Sequence, residues 1–347
     1  MLNRSSQQLF KYLSARAFQC GGFLKRMAYE KKLLPLYQAP IPVISIGNIT
    51  IGGTGKTPFV LHMAQKLTSQ GFKVSILSRG YKGLASKRGG IVSDGNRFFL
   101  SAKESGDEPY LLAKNLKNVP VFVGKHRWKT SQWASDFFKP DILLLDDAHQ
   151  HFKLSVTARI LLIDCLDPFG GKKIFPQGRL RESLTGIQRA QSVILTHASE
   201  VNDSEKQNII HQLKSFGYKD TIHELDFLPS KAIRGDEKES FEVSALKNKK
   251  IFAFTAIASP QKFLNTLNGL KTHVVGYKFF RDHHYFTKRD MENIYHLAHI
   301  QKVDMILTTE KDCVRIEKNR ELYHYLKMNV KFKSHEEAFF SQIKKFL

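Results

Sequence analysis

Residues 42–67 read PVISIGNITIGGTGKTPFVLHMAQKL, and this stretch decides the fold. Val43 to Ile46 is a short apolar run with β-branched residues, which predicts a buried strand. From Thr57 onward, Phe59, Val60, Met63 and Leu67 recur at helical spacing and predict a helix with one buried face. Between the two lie Gly52, Gly53 and Gly55, then Lys56 and Thr57. Strand, glycine-rich loop, Lys-Thr and helix make a P-loop. Its glycines let backbone N–H groups turn toward phosphate oxygens, and the helix N-terminus adds the positive end of its dipole. On this reading Thr50, Ile51, Gly52, Gly53, Thr54, Gly55, Lys56 and Thr57 bind a nucleotide. Lys56 reaches the β- and γ-phosphates, and the Thr57 hydroxyl ligates Mg²⁺. Thr50 stands where the GxxxxGK[ST] pattern begins with glycine.

Downstream, short apolar runs alternate with helical patterns: Val74–Leu77, Val121–Val123, Ile142–Leu145, Ile160–Ile163 and Val193–Leu195 read as strands. Such alternation predicts an α/β fold of the P-loop NTPase type, a mostly parallel sheet flanked by helices. Ile142–Leu145 ends in Asp146 and Asp147, the form of a Walker B strand. In a parallel sheet its carboxyl end lies beside the P-loop, where an acid can hold Mg²⁺. His149, Gln150 and His151 follow in the same loop; a lone histidine is usually structural, but two beside the metal acids favour contact with substrate or phosphate. Lys82 to Arg97 reads as a basic, mobile loop. Asp107 and Glu108 open a helix; they read either as first-turn acids that favour the helix dipole or as carboxylates facing a metal or an attacking hydroxyl. A second, smaller α/β unit follows, with strands at Ile251–Phe254, Val274–Tyr277 and Asp304–Leu307 and an Asp282-His283-His284 triplet. Adjacent side chains seldom point at one ion, so this triplet reads as a catalytic base or phosphate contact. The expected division is 1–38, an N-terminal amphipathic segment; 39–225, the nucleotide-binding domain; and 226–347, the smaller domain with its linker.

Composition narrows the partners. The chain has 347 residues, 42% hydrophobic, and a formal net charge of +22, which points to an anionic partner: nucleic acid, an acidic membrane surface or a phosphorylated substrate. Cys20, Cys165 and Cys313 are far apart with no CxxC, which fits a reducing cytosol and argues against a disulfide framework or zinc site. No apolar run approaches the roughly 18 residues of a spanning helix, and the N-terminus lacks a secretory signal core. Residues 1–38 carry seven basic residues and one acid, with Leu9, Leu13, Ala17, Cys20, Leu24 and Met27 on one helical face. That pattern suits a helix lying in lipid headgroups or one packed on the protein; Gly21-Gly22 weakens a continuous helix.

The P-loop alone leaves GTPase, switch ATPase and kinase open. Thr309-Glu310-Lys311-Asp312 misses the guanine-specific NKxD pattern. A switch ATPase acting on a protein or nucleic acid needs few polar loop motifs, whereas an enzyme handling a second substrate needs several. Several are present. GNITIGGTGKTP (47–58), SRGY (78–81), GDEP (106–109), LLLDDAHQH (143–151), PFGGKKIFPQGRLRE (168–182), FTAIASPQKF (254–263), FRDHHYF (280–286) and TEKD (309–312) occur in that order. Together they resemble the tetraacyldisaccharide 4′-kinase family of lipid A biosynthesis across nearly the whole chain. One departure is DDAHQH at 146–151, where the family has DDGFQH.

The resemblance implies transfer of the ATP γ-phosphoryl group to the 4′-hydroxyl of a membrane-embedded tetraacyldisaccharide 1-phosphate. It implies Lys56 on the phosphates, with Thr57, Asp146 and Asp147 in the Mg²⁺ shell and Glu108 supporting metal or nucleotide. Asp107 resembles the base for the sugar hydroxyl and His283 its partner from the second domain, which requires closure of the two halves. Arg127, Arg179 and Arg181, together with His151, become candidates for substrate phosphate contact. A lipid substrate favours interfacial binding of the N-terminal helix at the cytoplasmic face of the inner membrane, as a peripheral protein. Nucleic-acid binding then loses its support, since no aromatic-basic recognition motif for RNA is present.

Overall fold

The alternation of side chains along each central strand requires two covered faces. In the computed structural model, which describes residues 4–347 and, for residues 4–11 and 18, the backbone alone, this requirement is met in the central strands. Strand β1 (Val43–Gly47) sends Ile44 and Ile46 into one core and Val43 into another. It is joined by β2 (Val74–Ser78), β3 (Gly90–Ser93), β4 (Val121–Val123), β5 (Ile142–Leu145), β6 (Ala158–Asp164) and β7 (Ser192–Thr196). The chain continues through β8 (Ile222–Arg234), β9 (Ser240–Glu242), β10 (Lys250–Thr255), β11 (His273–Phe279), β12 (Met305–Thr309) and β13 (His324–Phe332). All belong to one 13-stranded sheet of order β11-β10-β12-β13-β8-β7-β6-β1-β5-β2-β4-β3, with β9 paired on β8. Pairing is parallel except at β3–β4, β8–β9 and β8–β13.

The helix Lys56–Ser69 buries Phe59, Val60, Met63 and Leu67 against the first face, with the helices Asp107–Asn115 and Glu336–Lys344 beside it. Burial of each such large side chain contributes about 1.5–3 kcal/mol, enough to fix the N-terminus of the first helix under the loop that precedes it. In the later half, β10 alternates between faces: Ile251 and Ala253 meet Phe263 and Leu267 of helix Pro260–Gly269, while Phe252 and Phe254 meet Met291 and Ile294 of helix Lys288–Ile300.

Several expectations change. Lys82–Arg97 is not an open loop: it contains a 3₁₀ turn, Leu84–Ser86, and strand β3, which pairs with β4. The expected boundary between 225 and 226 falls inside β8, the strand that carries the sheet across both halves. Its first residues pair with β7, and Leu225 to Arg234 pair antiparallel with β13. The last helix returns to the first half, where Phe339 lies 6.1 Å from Phe59 between ring centroids. The N-terminal helix is continuous from Arg4 to Glu30 through both glycines. Its apolar face is not packed away: Leu13 and Leu24 are 57% and 59% exposed. Leu9 of that pattern lies outside the described side chains. Among the described residues, no helix is long and apolar enough to cross a membrane.

The halves also meet through an ion pair. Lys262 Nζ of the helix Pro260–Gly269 lies 2.5 Å from Asp164 Oδ2 at the end of β6, and His197 Nδ1 lies 2.9 Å from Asp164 Oδ1. Burial raises the Asp164 carboxyl, but the His197 hydrogen bond and the charges of His197 and Lys262 outweigh it, holding the group down to about 2. A depressed folded-state value stabilises above the ordinary carboxylate range and is lost as pH falls toward 2. Asp164→Asn should therefore cost at most about 2 kcal/mol at pH 6, and the deficit relative to wild type should shrink as pH falls from about 4 toward 2, read by urea unfolding. A deficit independent of pH would contradict this origin.

Candidate active site

The crevice forms where β1 sits between β5 and β6 and their carboxyl ends open onto one side, the usual ligand position of a parallel sheet. The P-loop leaves β1 there. Gly52 (φ 125°) and Gly55 (φ 81°) are left-handed. A Cβ on Gly55 would stand 2.0 Å from the Phe227 ring, and one on Gly52 2.3 Å from Arg179 Nη2. Backbone conformation favours glycine at both, and at Gly55 the close aromatic ring adds a second ground. Thr50 is not left-handed; it forms an antiparallel bridge with Leu180, so this position needs no glycine. Asn48 Nδ2 donates to the Thr50 carbonyl at 2.8 Å, and Asn48 Oδ1 accepts from Lys56 Nζ at 3.2 Å. Asn48, absent from the expected set, thus ties the strand end to the loop's lysine.

Asp146 and Asp147 stand at the end of β5, beside this loop. Asp146 Oδ2 accepts from Ser78 Oγ at 3.0 Å. Burial, with Asp147 and Glu108 nearby, pushes the Asp146 carboxyl up to about 6. Burial acts the same way on Asp147, but Lys56 at 3.7 Å and Arg181 Nη1 at 2.7 Å outweigh it and hold Asp147 well below the usual range. Burial also lowers the Lys56 ammonium against the pull of Asp147. The left-handed residue in this loop is Asp147 (φ 49°), not Ala148, so alanine at 148 imposes no strain.

Across the cleft, the helix Asp107–Asn115 presents its first two acids to the later half of the chain. His283 Nδ1 lies 2.7 Å from Asp107 Oδ2. An ionised carboxylate only accepts, so the hydrogen belongs to Nδ1. Arg315 Nε donates to the same oxygen at 2.8 Å. Tyr285 OH lies 3.4 Å from Oδ1. Burial raises the Asp107 carboxyl, but the His283 hydrogen bond and the Arg315 charge bring it below the ordinary value. Lys311 Nζ donates to Glu108 Oε1. His283 itself is left-handed at φ 64°, a conformation that costs a non-glycine residue energy and recurs at functional sites.

One cavity of about 1600 Å³ connects these groups. The P-loop residues Ile51 to Thr57, Glu108, Asp146, Asp147, Arg181, His283 and Lys311 line it, and Arg16 to Arg26 of the N-terminal helix close one side. Asp107 is 2% exposed and lies behind the His283 ring, outside the lining. Of the substrate-contact candidates only Arg181 reaches this cavity. Arg127 turns inward: its Nη2 donates to the carbonyls of Asp146 (2.8 Å) and Asp147 (3.1 Å) and so shapes their loop. Arg179 pairs with Asp167 at 2.7 Å and donates from Nε to the Ile51 carbonyl at 3.0 Å, bracing the P-loop from behind. His151 is also outside the lining, and burial beside Arg127 and Lys25 lowers its imidazole to about 3. His149 is fully buried with Nε2 3.0 Å from the Gly186 carbonyl, and burial holds it neutral rather than free to touch a ligand.

A nucleotide loop, a carboxylate pair at the neighbouring strand end and a buried Asp–His pair facing them define a P-loop phosphotransferase. The family profile described as tetraacyldisaccharide-1-P 4′-kinase matches residues 9–347. The chain belongs to this family. It is 37% identical over 300 residues to a tetraacyldisaccharide 4′-kinase of Desulfatibacillum aliphaticivorans, covering 84% of this chain and 79% of that one. To the protein of the same name from Halothermothrix orenii it is 33% identical over 306 residues, covering 85% and 79%. A crystal structure of LpxK from Aquifex aeolicus in complex with ATP superimposes with a TM-score of 0.77 at 31% identity, covering 99% of each chain. The switch-ATPase alternative is therefore not favoured.

The loop geometry yields a direct test. Gly55→Ala must adopt φ 81° and meet the Phe227 ring. It should weaken ATP binding at least about tenfold by calorimetry, roughly 1.4 kcal/mol, with the fold retained. Unchanged affinity would mean that the loop does not hold phosphate in this conformation.

Proposed function

We propose that this cleft transfers the γ-phosphoryl group of ATP to the 4′-hydroxyl of a tetraacyldisaccharide 1-phosphate. The observation that carries the reading is that Lys56 and His283, one from each half, line the same cavity, with the buried carboxylate of Asp107 against the His283 ring. Phosphoryl transfer depends mainly on alignment and charge neutralisation, which this arrangement supports. Thr57, Asp146, Asp147 and Glu108 supply the hard oxygen donors suited to Mg²⁺, and the raised Asp146 carboxyl reflects an anionic cluster that a divalent cation would relieve. When bound there, Mg²⁺ neutralises charge on the β- and γ-phosphates. The P-loop amides and Lys56 hold those phosphates, and Asn48 and Asp147 keep the ammonium directed. Arg181, beside Asp147, is the arginine placed to meet an anionic substrate group.

Asp107 and His283 act as one proton-accepting unit. Asp107 fixes the ring tautomer through Nδ1 and balances the charge the ring acquires, and the ring is the member that reaches the cavity. This refines the expectation that Asp107 meets the hydroxyl directly, because Asp107 is buried behind the ring.

The N-terminal helix supports an interfacial position at the cytoplasmic face of the inner membrane. It exposes Leu13, Phe23 and Leu24, followed by Leu33 and Leu36, while its Arg16–Arg26 side borders the cleft. An acyl chain and its sugar headgroup would thus meet the same element. Basic charge over the chain, +22 in all, favours anionic lipid.

Incubation with ATP, Mg²⁺ and the disaccharide 1-phosphate should yield the bisphosphorylated lipid. Asp107→Ala and His283→Ala should each lower turnover by about 10²–10⁴-fold with ATP affinity largely kept. ATP consumption without a phosphorylated lipid would overturn the assignment, and an equal loss of ATP affinity in both variants would remove the pair from the chemistry. Deletion of residues 1–30 should reduce sedimentation with anionic liposomes, most at low salt; unchanged partitioning would refute the interfacial helix.

A further inference from the structure

The motif Thr309-Glu310-Lys311-Asp312 holds a buried acid with no role in the chemistry so far, and the residue three positions later explains it. Asp312 is fully buried. Its Oδ2 accepts from Thr255 Oγ1 and Thr309 Oγ1, both at 2.6 Å, and its Oδ1 from the Ala256 amide at 3.1 Å. That same Oδ1 takes Arg315 Nη1 at 3.0 Å. The guanidinium, 2% exposed, is thereby fixed in one orientation before it touches anything in the first half of the chain. Its other edge meets Asp107: Nε donates to Oδ2 at 2.8 Å, and Nη2 sits 2.7 Å from the same oxygen as an ion-pair contact. Nη1 also donates to the Ala256 carbonyl at 3.0 Å, and that carbonyl accepts the backbone amide of His283 at 3.1 Å.

We propose that Arg315, held by Asp312, is the positioning residue of the Asp107–His283 pair, tying its two members together across the two halves. The inference rests on the reading of that pair given above. One guanidinium touches the carboxylate from the first half and the carbonyl that fixes the histidine's backbone in the second. The charged and titratable groups facing it are Asp107, Asp312 and Tyr285; those facing Asp107 are His283, Tyr285, Lys311 and Arg315 itself. With Oδ2 taken by Arg315 and His283, the carboxylate cannot rotate, and the imidazole leaning on it keeps its direction. Arg315 reaches neither the nucleotide loop nor the cavity, so its effect on rate passes through the pair.

The test is a double-mutant cycle on turnover, with KM for ATP and thermal unfolding read alongside. Arg315→Met should lower kcat by about 10²-fold and leave KM for ATP within about threefold. In an Asp107→Asn background the same substitution should cost less than about threefold, because the group it positions has already lost its charge. Arg315→Lys, which keeps a cation but not the fork, should recover part of the loss. An equal loss in both backgrounds would overturn the proposal, as would a folded Arg315→Met enzyme with unchanged kcat. If Arg315→Met lacks a cooperative unfolding transition, the cycle is run with Arg315→Lys, where a loss in the wild type that disappears in Asp107→Asn supports the proposal and an equal loss in both contradicts it. Full turnover by Asp107→Asn alone would instead overturn the reading of the pair on which the proposal rests.

Discussion

A carboxylate taken out of water must find compensating charge, and Asp107 finds it only across the cleft. It sits at the start of a helix in the first half, yet His283 and Arg315, the groups that hold it ionised, both come from the second half. Apart from them it would keep only the longer Tyr285 contact and the charge of Lys311, which also come from the second half. The rest of the architecture serves this meeting. β8 and β13 carry the sheet unbroken between the halves, the last helix returns to pack on Phe59, and Lys262 reaches back to Asp164. A reaction that requires a nucleotide on one side and a proton acceptor on the other is assembled by the same contacts that satisfy a buried charge.

The nucleotide side has its own electrostatic division. Asp146 and Asp147 are neighbours, but their surroundings push them apart: burial with Glu108 and Asp147 raises the first, while Lys56 and Arg181 hold the second ionised. Two acids, one with mainly anionic neighbours and one with a cation-rich environment, can serve different purposes at a single strand end. Arg127 and Arg179 contribute by shape as well as charge, one holding the carbonyls of the acidic loop and the other the back of the P-loop. An arginine that looks like a ligand for phosphate can spend its donors on backbone instead.

Local pattern made the first half legible. Val43–Ile46 and Ile142–Leu145 are continuous apolar runs, which only a strand covered on both faces tolerates, and the glycine-rich loop between strand and helix has few other physical uses. What stayed hidden depended on distant partners. β8 is mixed in polarity and contains Pro229, and its course follows from pairing with β13 about a hundred residues later, not from its own periodicity. β3 is short and flanked by glycines, so its pairing with β4 outweighed a loop-like composition. Arg179 and His151 belong to motifs and Arg127 to a basic run, which suggests ligand contact, although a side chain's direction is set by packing. Arg315 was missed because its partner Asp107 is 208 positions away. The spacing from Asp312 to Arg315, one helical turn, was the available signal: an acid and an arginine that close are able to brace each other.

The nucleotide's terminal phosphate should share one cavity with the His283 ring, the member of the Asp107–His283 pair that lines it. A crystal structure of the chain with Mg²⁺ and a non-hydrolysable ATP analogue tests it most directly. The terminal phosphorus is expected between Lys56 and the His283 ring, with Asp107 still joined to Nδ1 and to Arg315. A terminal phosphate directed away from His283 while that contact to Asp107 is intact would contradict it.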